Sequence, residues 1–94
     1  MNLSADHYKS IEELSYRLIP PTLIAINLEV DETDFLEELR TPGTEIRKAF
    51  YKGYLKIMIE TREAIIQTAK NGSNPAQTEL IKFTREINHR LPYE

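Results

Sequence analysis

Lys48, Lys52 and Lys56 stand four residues apart, with Arg47 beside the first and Tyr51 and Tyr54 between them. On a helix this spacing puts the three ammonium groups on one face over about two turns. Such a row suits a phosphodiester backbone, each lysine meeting one phosphate. It equally suits a solvated face, or one paired with the acidic stretch 31–38. Arg47, Lys48, Lys52 and Lys56 are therefore the candidate DNA-binding residues. Other chemistry is scarce. Asp31, Glu32, Asp34, Glu37 and Glu38 are dense, but the Gly and further oxygen ligands of a calcium loop are missing. This stretch reads as an acidic, solvated helix face. His7 and His89 lie near opposite ends of the chain without obvious ligand partners. Cysteine is absent, which excludes disulfides, thiolate metal sites and cysteine nucleophiles. No Gly-rich phosphate loop, H-E-x-x-H or G-x-S-x-G occurs. No catalytic residue, metal site or cofactor is expected, and the chain reads as non-enzymatic.

Charge is unevenly spread along the 94 residues, whose net charge is −3. Residues 31–42 carry one basic and five acidic side chains, and residues 43–70 carry six basic and three acidic. The net charge by itself argues weakly against nucleic-acid binding; the middle of the chain is acidic and the long helix basic. No apolar run reaches the 18–20 residues of a membrane span. The first residues lack the basic-then-apolar order of a signal peptide. A soluble, cytoplasmic protein with no membrane partner is the expectation.

The elements that must position the lysines are helices. Residues 1–9 read as loose or lightly docked. Ser10-Ile11-Glu12-Glu13 has the form of a capping box, and Ile11, Leu14 and Leu18 follow at helical spacing up to Pro20-Pro21. Thr22–Leu28 reads as a short helix, apolar nearly all round and so buried; a β-strand through Leu23–Val30 is the alternative. Asp31 or Thr33 caps a third helix to about Leu39, with Phe35, Leu36 and Leu39 facing inward. Thr41-Pro42-Gly43 marks a linker, and Thr44 caps a long helix to Lys70. Gly53 sits inside that helix at a cost of about 1 kcal/mol relative to Ala; it either allows close helix approach or a bend, or is simply tolerated. At Asn71-Gly72-Ser73-Asn74-Pro75 the helix stops. Gly72 suits the left-handed residue past a helix end, and Ser73 or Asn74 caps a last helix, Ala76 to about Leu91, with Pro75 in its first turn. The fold class is all-α: a helix-turn-helix-like three-helix unit over residues 1–42, then an antiparallel helical hairpin over residues 43–94.

The hairpin's first arm is longer than its partner needs. A helix of ~26 residues spans ~39 Å. Ile46, Phe50, Ile57, Ala64 and Ile65 form one apolar stripe, and Leu55, Ile59, Ile66 and Ala69 a second, rotated stripe. The second arm offers a single stripe of Ala76, Leu80, Phe83, Ile87 and Leu91. The surplus is covered either by the three short helices or by another copy of the chain. Leu55, Met58, Ile59 and Ile66 are the candidate residues of an oligomer interface.

Two segments carry a family resemblance. Ala49-Phe50-Tyr51-Lys52-Gly53 is similar to the A-Y-x-x-G start of the central helix in phage small terminase subunits. The stretch from Arg62 to Gln77 resembles that family's A-x-x-G-x-x-A hairpin turn, and the helix-turn-helix-like start precedes both in the same order. The resemblance implies a DNA-packaging component that forms a ring through its hairpin, binds double-stranded viral DNA and hands it to a large terminase subunit, an ATPase-nuclease, in a bacterial host or phage-infected cell. The acidic third helix departs from the family's basic reading surface.

Overall fold

The computed structural model describes Met1 and residues 3–91. Among these residues the protein is all-α, with five helices in the order α1 Ala5–Tyr16, α2 Pro21–Asn27, α3 Glu32–Arg40, α4 Glu45–Lys70 and α5 Asn74–Arg90. The segment Leu23–Val30 is thus helical through Asn27, not a strand. The chain forms two compact units, Met1–Met58 and Ile59–Glu94.

The first unit closes around Ile11, Ile24, Ala25, Phe35, Leu39, Ile46 and Phe50. Its opening helix starts earlier than the Ser10 capping box suggests. Ser4 is the N-cap: its hydroxyl accepts from the His7 N–H at 3.3 Å, and its own N–H donates to His7 Nδ1 at 3.1 Å. The imidazole takes the place of the Glu or Gln side chain in the usual box. Leu3 and Tyr8 pack against the core, so apolar burial draws the first residues into place and leaves Ser10 in the helix interior.

Two helices in this unit end on the same device. At the end of α1 the Leu18 N–H donates to the Ser15 carbonyl (2.9 Å) and the Ile19 N–H to the Leu14 carbonyl (3.1 Å). At the end of α2 Glu29 donates to Ile26 and Val30 to Ala25, both at 3.1 Å. These are Schellman closures, in which the residue past the cap is left-handed. Leu18 has φ 62° and Glu29 φ 58°. A non-glycine residue there costs about 1–2 kcal/mol, which the closed carbonyls and the burial of Leu14, Ile19 and Val30 offset. Helix α2 does not bury its whole surface as expected. Ile24 and Ala25 are inaccessible, but Leu23 and Ile26 are 52% and 56% exposed. In this seven-residue helix only one face reaches the core.

Asp31 caps α3, accepting from the Asp34 N–H at 2.9 Å. Phe35 and Leu39 enter the core while Leu36 is half-buried. The Thr41–Gly43 turn is not a loose linker. The Thr44 hydroxyl donates to the Glu38 carbonyl at 2.6 Å and Arg47 donates to the Leu39 carbonyl at 3.0 Å. The start of α4 therefore satisfies the open carbonyls of α3, and Thr44 Oγ1 also caps α4 by accepting from the Arg47 N–H. Ile46 and Phe50 complete the core. For that reason the first unit runs on to Met58, past the boundary at residue 42 read from the Pro-Gly turn.

Gly53 resolves in favour of close approach. It is buried, and a Cβ there would overlap the Glu12 carbonyl oxygen and Ser15 Oγ and stand 2.9 Å from the Glu12 carbonyl carbon. Ser15 is 1% exposed and donates to that same Glu12 carbonyl at 3.0 Å. Glycine lets α1 lie directly on the backbone of α4.

In the second unit α4 ends on a third Schellman closure, now with glycine. Gly72 has φ 94°, donates to Ala69 at 3.0 Å, and the Ser73 N–H donates to Thr68 at 3.3 Å. Ser73 caps α5 through the Ala76 N–H, with Pro75 in the first turn. Gln77 Nε2 donates to the Ala69 carbonyl at 3.1 Å. Further along, Arg62 lies 4.3 Å above the Phe83 ring and 3.3 Å from Glu86. The turn is an αα-hairpin.

Candidate functional site

The four candidate DNA-binding residues all lie in the first half of α4, and they separate into two kinds. Arg47 is half-buried and committed: it holds the Leu39 carbonyl and stacks 4.8 Å over the Tyr51 ring. The lysines are exposed. Lys48 Nζ is 3.3 Å from Glu45 and Lys52 Nζ is 3.7 Å from Glu12, while Lys56 Nζ lies 5.5 Å from the Tyr16 ring centre. The acidic partners come from α1 and from α4 itself, not from the 31–38 stretch. Solvent-exposed pairs of this kind are worth at most about 1 kcal/mol, so Lys48 and Lys52 can exchange their carboxylates for phosphate oxygens. Tyr51 and Tyr54, both partly exposed, form an aromatic group with Phe50, with ring centres 5.3 to 6.4 Å apart.

The α2–α3 pair carries no basic reading surface. Glu29 occupies the left-handed position of the α2–α3 turn. Glu32, Asp34 and Glu37 are exposed on α3, a face that repels phosphate. Asp34, Glu37 and Glu38 line an open hollow with Thr41 and Thr44. Among the described residues no group of three His, Asp or Glu could hold a metal ion. His7 is used in the α1 cap, and His89 is exposed on α5.

The candidate interface residues differ in exposure. Leu55 in the first unit is 54% exposed and Met58 is half-buried. In the second unit Ile59 is 48% exposed and Ile66 half-buried. Burial on the hairpin fades away from its turn. Ala69 and Ala76 are 6% and 8% exposed, whereas Ile87 and Leu91 reach 48% and 64%. Ile81, also largely exposed, lies outside the α5 stripe and escaped the periodicity argument.

Sequence reasoning also missed an apolar groove of about 250 Å³ in the first unit, lined by Ser15, Leu18, Ile19, Pro20, Pro21, Phe50 and Tyr54. Its signal in the sequence is slight. It forms because Leu18 turns left-handed and Pro20-Pro21 opens α2 beside the Phe50–Tyr54 pair, and neither follows from periodicity. No helix among the described residues is long and apolar enough to cross a membrane. No protein-family model, curated protein or solved structure matches the chain.

Proposed function

We propose that the chain is a non-enzymatic assembly protein of the small-terminase kind. It self-associates through its helical hairpin, lays Lys48, Lys52 and Lys56 along double-stranded DNA, and delivers that DNA to a large terminase subunit in a bacterial or phage-infected cytoplasm. The observation that carries the reading is the uncovered apolar surface of the second unit: Ile59, Ile81, Ile87 and Leu91 are each about half exposed or more. Open aliphatic side chains on a helix are what a partner helix would cover. Within this unit, Ile59–Glu94, the described helices are the second part of α4 and α5, a short pair that buries little apolar surface of its own. Association with another copy would add burial that this pair of helices does not make by itself. The resemblance of residues 49–53 and 62–77 to small terminase subunits supplies the packaging role.

A second reading is a self-associating helical module with no DNA role. It is favoured by the ion pairs of Lys48 and Lys52 and by the acidic surface of α3. DNA titration across a salt series separates the two. The first reading predicts binding whose logarithm falls linearly with log salt, and a slope reduced by about 2 in the Lys48→Glu/Lys52→Glu double variant. No binding at low salt would leave the second reading standing, and an unchanged slope would remove these lysines from the interface.

A further inference from the structure

We propose that Asn71, at the turn of the hairpin, is a site of spontaneous deamidation, and that its conversion loosens the turn. The chain's asparagines are Asn2, Asn27, Asn71, Asn74 and Asn88, and only Asn71 precedes glycine. The chemistry is an intramolecular acyl transfer. The Gly72 backbone nitrogen attacks the side-chain carbonyl carbon of Asn71 and gives up its proton. The carboxamide nitrogen leaves as ammonia, and a cyclic imide remains. Water then adds to one of the two imide carbonyls and opens the ring. One opening leaves an aspartate at position 71. The other leaves an isoaspartate, in which the main chain runs through the former side chain. Water is the only co-reactant.

The structure leaves this site open. Asn71 follows the last residue of α4, where fraying is cheapest, and Asn71 and Gly72 are both exposed. The Asn71 carboxamide makes no hydrogen bond among the described residues. Gly72 has no side chain to shield its nitrogen, and nothing lies within 4 Å of where a Cβ would stand. One bond stands in the way: the Gly72 N–H donates to the Ala69 carbonyl at 3.0 Å. That carbonyl has a second donor, Gln77 Nε2 at 3.1 Å, so releasing Gly72 leaves no unsatisfied acceptor behind. The other described asparagines lack these conditions. Asn74 precedes Pro75, whose nitrogen carries no proton. Asn27 precedes Leu28, which has a branched side chain and donates its N–H to Ile24 at 3.0 Å. Asn88 precedes His89 inside α5.

Conversion acts on the helix closure itself. Either product puts a carboxylate at the C-terminal end of α4, where the negative end of the helix dipole disfavours it. Isoaspartate also adds a carbon to the main chain before Gly72. That breaks the register by which Gly72 and Ser73 reach the Ala69 and Thr68 carbonyls. The loss falls on the end of the hairpin where Ala69 and Ala76 are buried.

Folded full-length protein incubated in mildly alkaline buffer, digested with trypsin and followed by mass spectrometry reads each asparagine separately. Asn71 falls in peptide 71–82, Asn27 in 18–40 and Asn88 in 86–90, and fragmentation separates Asn71 from Asn74. The proposal predicts that Asn71 loses its amide at least about tenfold faster than Asn27, Asn74 and Asn88, giving two products of equal mass. Equal rates overturn it. So does amide loss confined to a urea-unfolded aliquot, because the closure would then protect the site. Aged wild type should melt at a lower temperature than fresh protein by circular dichroism, while Asn71→Gln treated identically keeps its melting curve. An unchanged melting curve after full conversion, or an equal fall in Asn71→Gln, overturns the loosening of the turn.

Discussion

Replacing Gly53 with alanine should destabilise the protein, although alanine is the better helix former. Intrinsic propensity favours Ala by about 1 kcal/mol inside a helix. Against this, the new Cβ falls on the Glu12 carbonyl oxygen and Ser15 Oγ. The first of these is backbone, held in α1, and cannot swing aside as a side-chain tip would. Forcing an extra carbon into a packed contact costs about 1–3 kcal/mol or more. Displacing Ser15 also breaks its bond to Glu12, worth about 0.5–1.5 kcal/mol. The balance is a loss of about 1–3 kcal/mol. Thermal melting followed at the helical circular-dichroism band would read this as a drop of roughly 4–8 °C per kcal/mol for a domain of this size. Ser15→Ala combined with Gly53→Ala should lose less than the two separate costs, because one of the two overlaps is gone. An increase in melting temperature for Gly53→Ala alone, as at an open helix position, would refute the close crossing of α1 and α4.

Other positions give sharper local tests. Glu29→Gly relieves a left-handed residue and should raise stability by about 0.5–1 kcal/mol after the added freedom of the unfolded chain is counted, which urea denaturation resolves. Ser4→Ala should cost about 1 kcal/mol and speed amide exchange at His7 and Tyr8, while Ser10→Ala leaves both unchanged; the reverse result would put the helix start back at Ser10. Arg47→Ala should destabilise by about 1.5–3 kcal/mol by stripping a charged donor from the Leu39 carbonyl, whereas Lys48→Ala should stay within about 0.5 kcal/mol. Equal effects at the two sites would mean that Arg47 is not a structural cap.

What could be read from the sequence depended on whether the usual residue stood at each junction. The hairpin turn was legible because Gly72 takes the left-handed position and Ser73 and Pro75 open the next helix, each residue matching its backbone. The ends of α1 and α2 use the same closure with Leu18 and Glu29, so composition gave no warning. The start of α1 was hidden because His7, not an acid, completes the Ser4 cap. The basic row was legible from its four-residue spacing, and so was its placement on one helix. Its partners Glu12 and Tyr16 were not, since they depend on how α1 crosses α4 at Gly53. Similarly, Ile46 and Phe50 read as part of a hairpin stripe, while the packing gives them to the core of the first unit. The apolar surplus on α4 was read from its second stripe, in which Leu55 and Ile59 are about half exposed while Ile66 is half-buried and Ala69 buried.

Self-association is the claim on which the rest depends, and light scattering coupled to size separation measures it directly. Self-association predicts a wild-type mass that is a multiple of the single chain, and a fall toward one chain for Ile59→Lys with helix content retained. A wild-type mass of one chain across the accessible concentration range would contradict it.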